Sequence, residues 1–454
     1  VTIIMAWGVS MFSGRKEVAP LASPLQREAA LKSYGAVPKR CVVTGGTGFV
    51  GQRLVEMLVE RGAEKVISLD IVPAPATAWK HPNIEWRICD ITDKEGVRRA
   101  LKGADCVWHN AAAVGPFHPA PLYYRVNYQG TLNILEACKE LKVKKLVFSS
   151  SPSTRFSGAD VDGLTEDELP KLPLKKYLQT YAETKAMAEL EVSKAHCDSL
   201  KTIAVAPHQV YGPRDNLFLP NILENAGNGK LRVFGDGLNR ICFTHVDNYC
   251  HGLIIAEKAL DDDDDKTKTK EKKKAVGGKF YVVTDGDTHP EGNQYLIFWK
   301  ELDKAITACG FRSLWSKFHY PVWFLMIIAY VAQVVAFFLN AKFKLNVFNV
   351  RVLVMHRWFD IQNAVDDLGY APIIPYEAGW AETCGWFKDN WLPNFTPDSS
   401  LFGIAKQTQT KIDIQDESRR LDESAAEGEP TSNDDNKKKK KNEVERWGTA
   451  CLPD

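Results

Sequence analysis

From Lys39 onward the chain alternates short apolar runs with longer stretches whose apolar residues recur on one side of a helix. Residues 40–44, 65–70, 84–88, 105–109 and 145–148 read as strands, rich in β-branched residues and too short for helices. Between them, residues 50–61 set Leu54, Leu58 and Val59 along one side of a helix, and residues 122–141 do the same with Leu132, Leu135 and Ala137. Strands alternating with helices of this length predict an α/β fold, a doubly wound parallel sheet covered on both faces. Residues 279–283 read as a late strand.

The first strand runs into Gly45-Gly46-Thr47-Gly48-Phe49-Val50-Gly51. Glycine loses the most backbone entropy on ordering, so such a turn implies that something approaches the main chain closely. Gly45, Gly48 and Gly51 have the G-x-x-G-x-x-G spacing of a dinucleotide fingerprint, with Phe49 and Val50 at the helix start facing the same ligand. The second strand ends in Asp70, about 20 residues past Gly51, where a carboxylate accepts from an adenosine ribose. That acid repels a 2'-phosphate, so NAD is expected over NADP. Asp90, with Ile91, is placed to meet the adenine, and the small residues Ala111 and Ala112 let the cofactor lie against the backbone. Together these make the sheet Rossmann-like.

Residues 176–196 are helical in composition and carry Tyr181-Ala182-Glu183-Thr184-Lys185. Tyr181 and Lys185, four apart, share a helix face. A phenol of pKa about 10 is a poor base at neutral pH, and a nearby ammonium favours its ionised form. Ser151, at the end of the fifth strand, can hydrogen-bond the oxygen whose proton Tyr181 removes. Tyr-x-x-x-Lys by itself is usually a solvated helix face; the dinucleotide turn and the serine-ended strand give it a chemical meaning here.

Composition changes this picture little. At 454 residues the chain can bury a large core, and a net charge of +1 argues against a nucleic-acid binder. The ten cysteines are scattered without C-x-x-C pairs or metal-ligand spacing, so no metal is expected and the thiols read as free in a reducing compartment.

The motifs Thr44-Gly45-Gly46-Thr47-Gly48-Phe49-Val50-Gly51-Gln52, Tyr124-Arg125-Val126-Asn127-Tyr128-Gln129-Gly130-Thr131, Tyr181 to Lys185, Tyr211-Gly212-Pro213-Arg214-Asp215 and Phe243-Thr244-His245-Val246-Asp247-Asn248 resemble the extended short-chain dehydrogenase/reductase family, in its 3-beta-hydroxysteroid dehydrogenase branch. The resemblance covers roughly residues 39–391. It implies catalytic roles for Tyr181, Lys185 and Ser151, cofactor contacts that include Lys185 and Pro207, and a homodimer. It further implies NAD-dependent oxidation of the 3β-hydroxyl of a 4α-carboxysterol, with decarboxylation. Rival readings are a 3-beta-hydroxysteroid dehydrogenase/isomerase, a nucleotide-sugar epimerase and a non-catalytic NAD-binding scaffold. Two departures touch the site: Ala206 precedes Pro207 where the family commonly has Arg, and Pro152-Ser153-Thr154-Arg155 follows Ser151 where apolar residues are usual.

The expected division is an N-terminal extension at 1–38, disordered or interfacial, an NAD-binding domain with the catalytic residues at 39–260, a charged inserted loop at 261–278, a smaller C-terminal substrate domain at 279–395, and a disordered tail at 396–454. Residues 322–339 are uncharged, close to the lower limit of about 17 for a membrane span, with Lys342 and Lys344 following. A span, an interfacial helix and a buried helix all fit this pattern. Membrane association suits a water-insoluble sterol, and the resemblance implies the cytosolic face of the endoplasmic reticulum membrane or a lipid droplet.

Overall fold

The computed structural model describes residues 16–115, 118–262, 275–339 and 346–397. The first residues, the charged run 263–274, Lys342, Lys344 and the polar tail with Lys437–Lys441 lie outside them. Seven strands form the main sheet: β1 (Arg40–Thr44), β2 (Lys65–Asp70), β3 (Ile84–Ile88), β4 (Cys106–His109), β5 (Lys145–Ser149), β6 (Lys201–Pro207) and β7 (Phe280–Val283). Their spatial order is β7-β6-β5-β4-β1-β2-β3, every pair parallel. Of the five strands expected before residue 150, three match at both ends, while β4 begins one residue later and β5 ends one residue later, at Ser149.

The near-continuous burial of β1, β2, β4, β5 and β6 follows from helices on both faces. The expected helix at 122–141 is a composite: α-helical Ala120–Tyr123, a π-turn at Tyr124–Gln129, then α-helical Gly130–Glu140. The helix bearing Tyr181 begins only at Thr180, after an extended Gln179.

Two expectations about organisation are corrected. Residues 16–37 are not a loose extension. They carry α1 (Pro24–Leu31), started by a Ser23–Gln26 capping box, and the segment is tied down by specific bonds: Ala19 N to Glu60 Oε1 at 3.2 Å, Gln26 Nε2 to Asp247 Oδ1 at 2.6 Å and Ser23 Oγ to Glu382 Oε2 at 2.6 Å. Nor does residue 279 separate two domains, because β7 is an edge strand of the main sheet. The second sheet draws on both sides of that boundary, pairing Val161–Leu164 and Arg240–Ile241 with Leu296–Ile297 and Arg357–Phe359. Its core joins Leu219, Leu223 and Phe243 to Trp299, Leu302, Tyr376 and Trp380.

A buried ionic cluster braces α2 (Phe49–Glu60). Arg53, with a side chain 1 % exposed, donates to Glu60 at 2.9 Å, to Glu56 at 3.2 Å and to Asp247 at 3.0 Å. Asp247 lies in the first turn of the helix Val246–Asp262, which packs against α2. Arg214, of the Tyr211-Gly212-Pro213-Arg214 motif, takes a left-handed backbone (φ 71°) and grips Glu56 with two bonds of 2.8 and 2.7 Å. Burial pushes the Asp247 carboxyl up, but the Arg53 charge, His245 and the hydrogen bonds from Arg53 and Gln26 together outweigh it, and the net shift is downward. The stability this carboxylate contributes is therefore present above about pH 4 and lost as pH falls through its lower folded value.

Arg53→Met leaves Glu60 and Asp247 buried without their cation and is expected to lower unfolding free energy by about 3–5 kcal/mol, read from urea denaturation. Asp247→Asn should flatten the loss of stability in urea between pH 5 and pH 3; an unchanged pH dependence would show that Asp247 is not its source.

Candidate active site

The strand order reverses between β1 and β4, and the crevice at their carboxyl ends is where open α/β sheets take ligands. The glycine turn sits there, and its glycines do different things. Gly45 has φ +69°, and a Cβ on it would lie 2.9 Å from the Ala111 backbone. A Cβ on Gly51 would lie 2.1 Å from the Gly45 carbonyl oxygen, and one on Gly46 would lie 2.1 Å from Ser68 Oγ. These three are required by the turn's own packing rather than by a ligand. Gly48 differs: the nearest atom to its missing Cβ is the Gly45 carbonyl at 3.2 Å. It is also the N-cap of α2, with no side chain capping the helix. The first N–H groups of α2, at Phe49 and Val50, are thus presented at an uncapped helix N-terminus suited to an anion such as a pyrophosphate.

Asp70 closes on this turn. Its Oδ2 accepts from Thr47 Oγ1 at 2.6 Å and Thr47 N at 3.2 Å, and its Oδ1 from Ile71 N at 2.8 Å. Asp90 has a local use, accepting from Thr92 N at 2.8 Å, while Ile91 is buried against Gly130. Pro207 ends β6 opposite Val283.

The Ala111 to Ala113 segment is held by a hydrogen-bond chain the sequence reading overlooked. Ala111 N donates to Thr44 Oγ1 at 3.0 Å, and that hydroxyl meets His109 Nδ1 at 2.8 Å. His109 Nε2 meets Thr131 Oγ1 at 2.9 Å, which donates to the Asn127 carbonyl at 2.7 Å. Because the Thr131 proton goes to the Asn127 carbonyl, His109 Nε2 carries the ring proton, and in the neutral ring Nδ1 accepts from Thr44. Burial agrees, holding His109 down to about 3. Asn127, within the π-turn, receives Ala113 N at 2.7 Å and donates to Ala113 O at 3.1 Å. Beside this frame both side-chain polar atoms of Asn110 are buried without a partner among the described residues, as an unfilled polar ligand contact would be.

Ser151, Tyr181 and Lys185 converge at the end of β5. Tyr181 and Lys185 lie on the helix Thr180–Lys194, and Ser151 is the N-cap of the short 3-10 turn Pro152–Arg155. Burial raises the Tyr181 phenol to about 12, and its hydrogen bond with Ser151 draws it part of the way back. Burial lowers the Lys185 ammonium to about 7, with Glu189 opposing the fall. Lys185 Nζ donates to the Ser149 carbonyl at 2.7 Å and lies 3.9 Å over the Phe148 ring. The expectation that Lys185 depresses the Tyr181 phenol is therefore not met in this arrangement. The groups acting on the phenol are Ser151 and Tyr123, and the lysine is turned to Ser149.

Arg155, unusual at its position, is explained. It forms a two-toothed pair with Glu189, which also accepts from Ser150 Oγ at 2.5 Å. Its Nη1 donates to Thr154 Oγ1 at 2.6 Å, and that hydroxyl donates to the Ser151 carbonyl at 2.8 Å. Residues on both sides of Ser151 are so bound to the helix that carries Tyr181 and Lys185. A cavity of about 280 Å³ opens behind that helix, lined by Arg155, Glu189, Lys171 and Lys279, and includes none of the three converging residues.

Strand order, glycine turn and the Ser151, Tyr181 and Lys185 constellation define a Rossmann-fold oxidoreductase of the extended short-chain dehydrogenase/reductase type. Residues 42–309 match the model of the 3-beta hydroxysteroid dehydrogenase/isomerase family, and the chain belongs to that family. It is 31% identical over 366 residues to a human protein named "Sterol-4-alpha-carboxylate 3-dehydrogenase, decarboxylating", covering 77% of this chain and 88% of the relative. It is 32% identical to "3beta-hydroxysteroid-dehydrogenase/decarboxylase isoform 1" of Arabidopsis thaliana, over 82% and 85% of the two chains. Among solved structures it resembles the UDP-glucuronic acid 4-epimerase from Bacillus cereus in complex with NAD, with a TM-score of 0.56 and 22% identity over 77% of this chain and 99% of that one.

The glycines separate by stability. Gly51→Ala forces a Cβ onto the Gly45 carbonyl and should cost about 1–3 kcal/mol. Gly48→Ala should change stability by under about 1 kcal/mol. Thermal unfolding of both variants checks the contrast, and equal losses would refute it.

Proposed function

We propose that the protein is an NAD-dependent dehydrogenase that oxidises the 3β-hydroxyl of a 4α-carboxysterol and releases the carboxylate as carbon dioxide. The observation that carries this is the convergence of Ser151, Tyr181 and Lys185 at the end of β5, at the crevice that also presents the uncapped α2 N-terminus. The names of the relatives supply the substrate class. The residues present fit a dinucleotide: the start of α2 at Gly48, Phe49 and Val50 for the pyrophosphate, Asp70 for the adenosine ribose, and Asn110 with its unmet polar atoms near the reactive end. When bound, NAD supplies the hydride acceptor.

In this proposal Ser151 orients the substrate oxygen and Tyr181 removes its proton as the C3 hydride departs. A phenol near 12 makes a weak base at neutral pH, so oxidation should quicken as pH rises. Lys185 bonds the Ser149 carbonyl and has further N–H donors for a ribose hydroxyl. Oxidation at C3 leaves a β-keto acid. Its C4–carboxyl bond can then break, with the electron pair passing to the C3 oxygen as an enol; a proton returning to C4 gives the ketone. No metal is needed for that step, because the new carbonyl is the electron sink.

The reading extends to the membrane surface. The helix Val322–Leu339 is apolar apart from Gln333, yet among its described side chains only Leu325 and Ala329 are buried, against Phe234, Tyr320 and Val350. Trp323, Ile327, Tyr330, Val331 and Val334 are more than half exposed on the other side. No helix among the described residues is long and apolar enough to cross a membrane. At about 1.5 Å per residue an 18-residue helix reaches about 27 Å, short of the ~30 Å hydrocarbon layer. The proposal is an interfacial helix on the cytosolic face of the endoplasmic reticulum membrane or on lipid droplets. A homodimer rests on resemblance alone.

Purified protein given NAD and a 4-carboxysterol should form NADH and carbon dioxide together; NADH without carbon dioxide would reject the decarboxylating assignment. Tyr181→Phe should cut kcat by about 100-fold to 10,000-fold while NAD still binds in a fluorescence titration, and near-normal turnover would sink the proposed base. For the membrane, Ile327→Glu with Val331→Glu should abolish flotation with phosphatidylcholine vesicles; undiminished flotation would remove this helix from the proposal.

A further inference from the structure

The exposed apolar face of the helix Val322–Leu339 continues upstream of Pro321. Phe318 is 70 % exposed and its ring lies 5.6 Å from Tyr320, which in turn stacks on Phe324 at 6.4 Å. Trp323, 66 % exposed, meets Phe324 at 5.9 Å. Backbone bonds fasten a second segment to this aromatic edge: Tyr320 N donates to Val233 O at 3.0 Å, and Gly235 N donates to Tyr320 O at 2.9 Å.

Three cations stand along the same edge. Lys317 precedes Phe318, Arg312 lies five residues before Lys317, and Arg232 precedes Val233 in the fastened segment. Neutral acceptors aim the two arginines. Arg232 Nη1 donates to the Gly229 and Leu231 carbonyls at 2.5 and 2.8 Å, and Arg312 Nε donates to Ser316 Oγ at 2.9 Å. None of the three cations has a carboxylate partner among the described residues. The acids of the same segments are engaged elsewhere: Asp303 accepts from Leu314 N at 2.6 Å and Ser313 Oγ at 2.9 Å, and Asp236 accepts from Leu238 N at 2.9 Å. Burial, and after it the charges of Arg232 and Arg312, lower the Lys317 ammonium, with Asp303 opposing. Like charges held this close, on a chain whose net charge is only +1, repel one another unless an anion meets them.

We propose that Arg232, Arg312 and Lys317 form a headgroup site, through which this face selects a bilayer bearing anionic glycerophospholipid over a neutral one. This selectivity rests on the interfacial helix proposed above and adds the charge of the lipid to it. Aromatic side chains settle at headgroup depth while an apolar helix face reaches the acyl chains. Lys317, next to Phe318, is then level with the phosphates, and a guanidinium takes phosphate oxygens through paired N–H groups. A zwitterionic headgroup carries its own balancing cation and gains less from the site. A second copy of the chain fits worse as occupant, because a two-fold contact through this face would set the same three cations against each other.

The full chain is titrated with vesicles of phosphatidylcholine alone and of phosphatidylcholine containing phosphatidylserine, and bound protein is read by flotation. At about 0.1 M salt wild type should bind the anionic vesicles at least about tenfold more tightly, and at about 1 M salt the two affinities should converge. Arg232→Gln combined with Arg312→Gln and Lys317→Gln should lose the preference while still floating with the neutral vesicles. Lys317→Glu alone, at a part-exposed position, should reduce it. Equal binding of both vesicles by wild type, or a preference that survives the triple substitution or high salt, would overturn the headgroup site and leave the interfacial helix standing. Binding to neither vesicle would overturn both. A dimer in solution that Trp323→Glu splits, with no vesicle binding, would give the face to a second copy instead.

Discussion

The Arg53 guanidinium joins parts of the chain that have no local reason to meet. Glu56 and Glu60 come from its own helix, Asp247 from almost two hundred residues away, and through their carboxylates the cluster reaches Ala19, Gln26 and Arg214. Desolvating so many charges is costly, and the cost is offset only when each is paired at short range. That condition makes the cluster selective. It admits one placement of α2 against Val246–Asp262 and one path for residues 16–37. Because α2 begins at Gly48, the same condition aims the uncapped helix N-terminus at the crevice.

On the reactive side, order comes from neutral hydrogen bonds and one ion pair. The Thr44, His109, Thr131 and Asn127 chain sets the backbone at Ala111 to Ala113, and a histidine that burial keeps uncharged can serve there without adding a titrating charge. The Arg155–Glu189 pair sets Ser151 relative to Tyr181 and also lends Glu189's charge to Lys185. Burial moves the two titrating groups in opposite directions, the phenol upward and the ammonium downward, as expected when both charged forms lose water. The arrangement suits a proton transfer timed to hydride departure, with Ser151 supplying the first hydrogen bond.

The strand periodicity before residue 150, the glycine turn, Asp70 and the Tyr181, Lys185 and Ser151 constellation were all legible in the residues, because local pattern and fixed spacing encode them. The roles of the glycines were only partly legible: Gly45 answers to Ala111, Gly46 to Ser68 and Gly51 to Gly45, and of the four Gly48 is the one left for a ligand. Asn110, His109 and Asn127 carry no spacing signal, since each acts on a residue brought near by the sheet. The pairing of His109 with Thr44 across β4 and β1 could have suggested the chain, but only once the strand order was known. Arg155 stood out as an oddity, and its partner Glu189 comes from another element.

By itself, the sequence determined a parallel α/β sheet, the place of the glycine turn and the candidate residues Ser151, Tyr181 and Lys185, because backbone periodicity and side-chain spacing act within one or two elements. Tertiary structure decided what depends on burial and on contacts between distant segments: the folding of residues 16–37 onto α2 and the sharing of the second sheet across residue 279. The apolar stretch 322–339 shows the division most plainly. Its composition set that it would avoid water, but only packing on Phe234, Tyr320 and Val350 chose the face to bury and left the other side apolar and exposed.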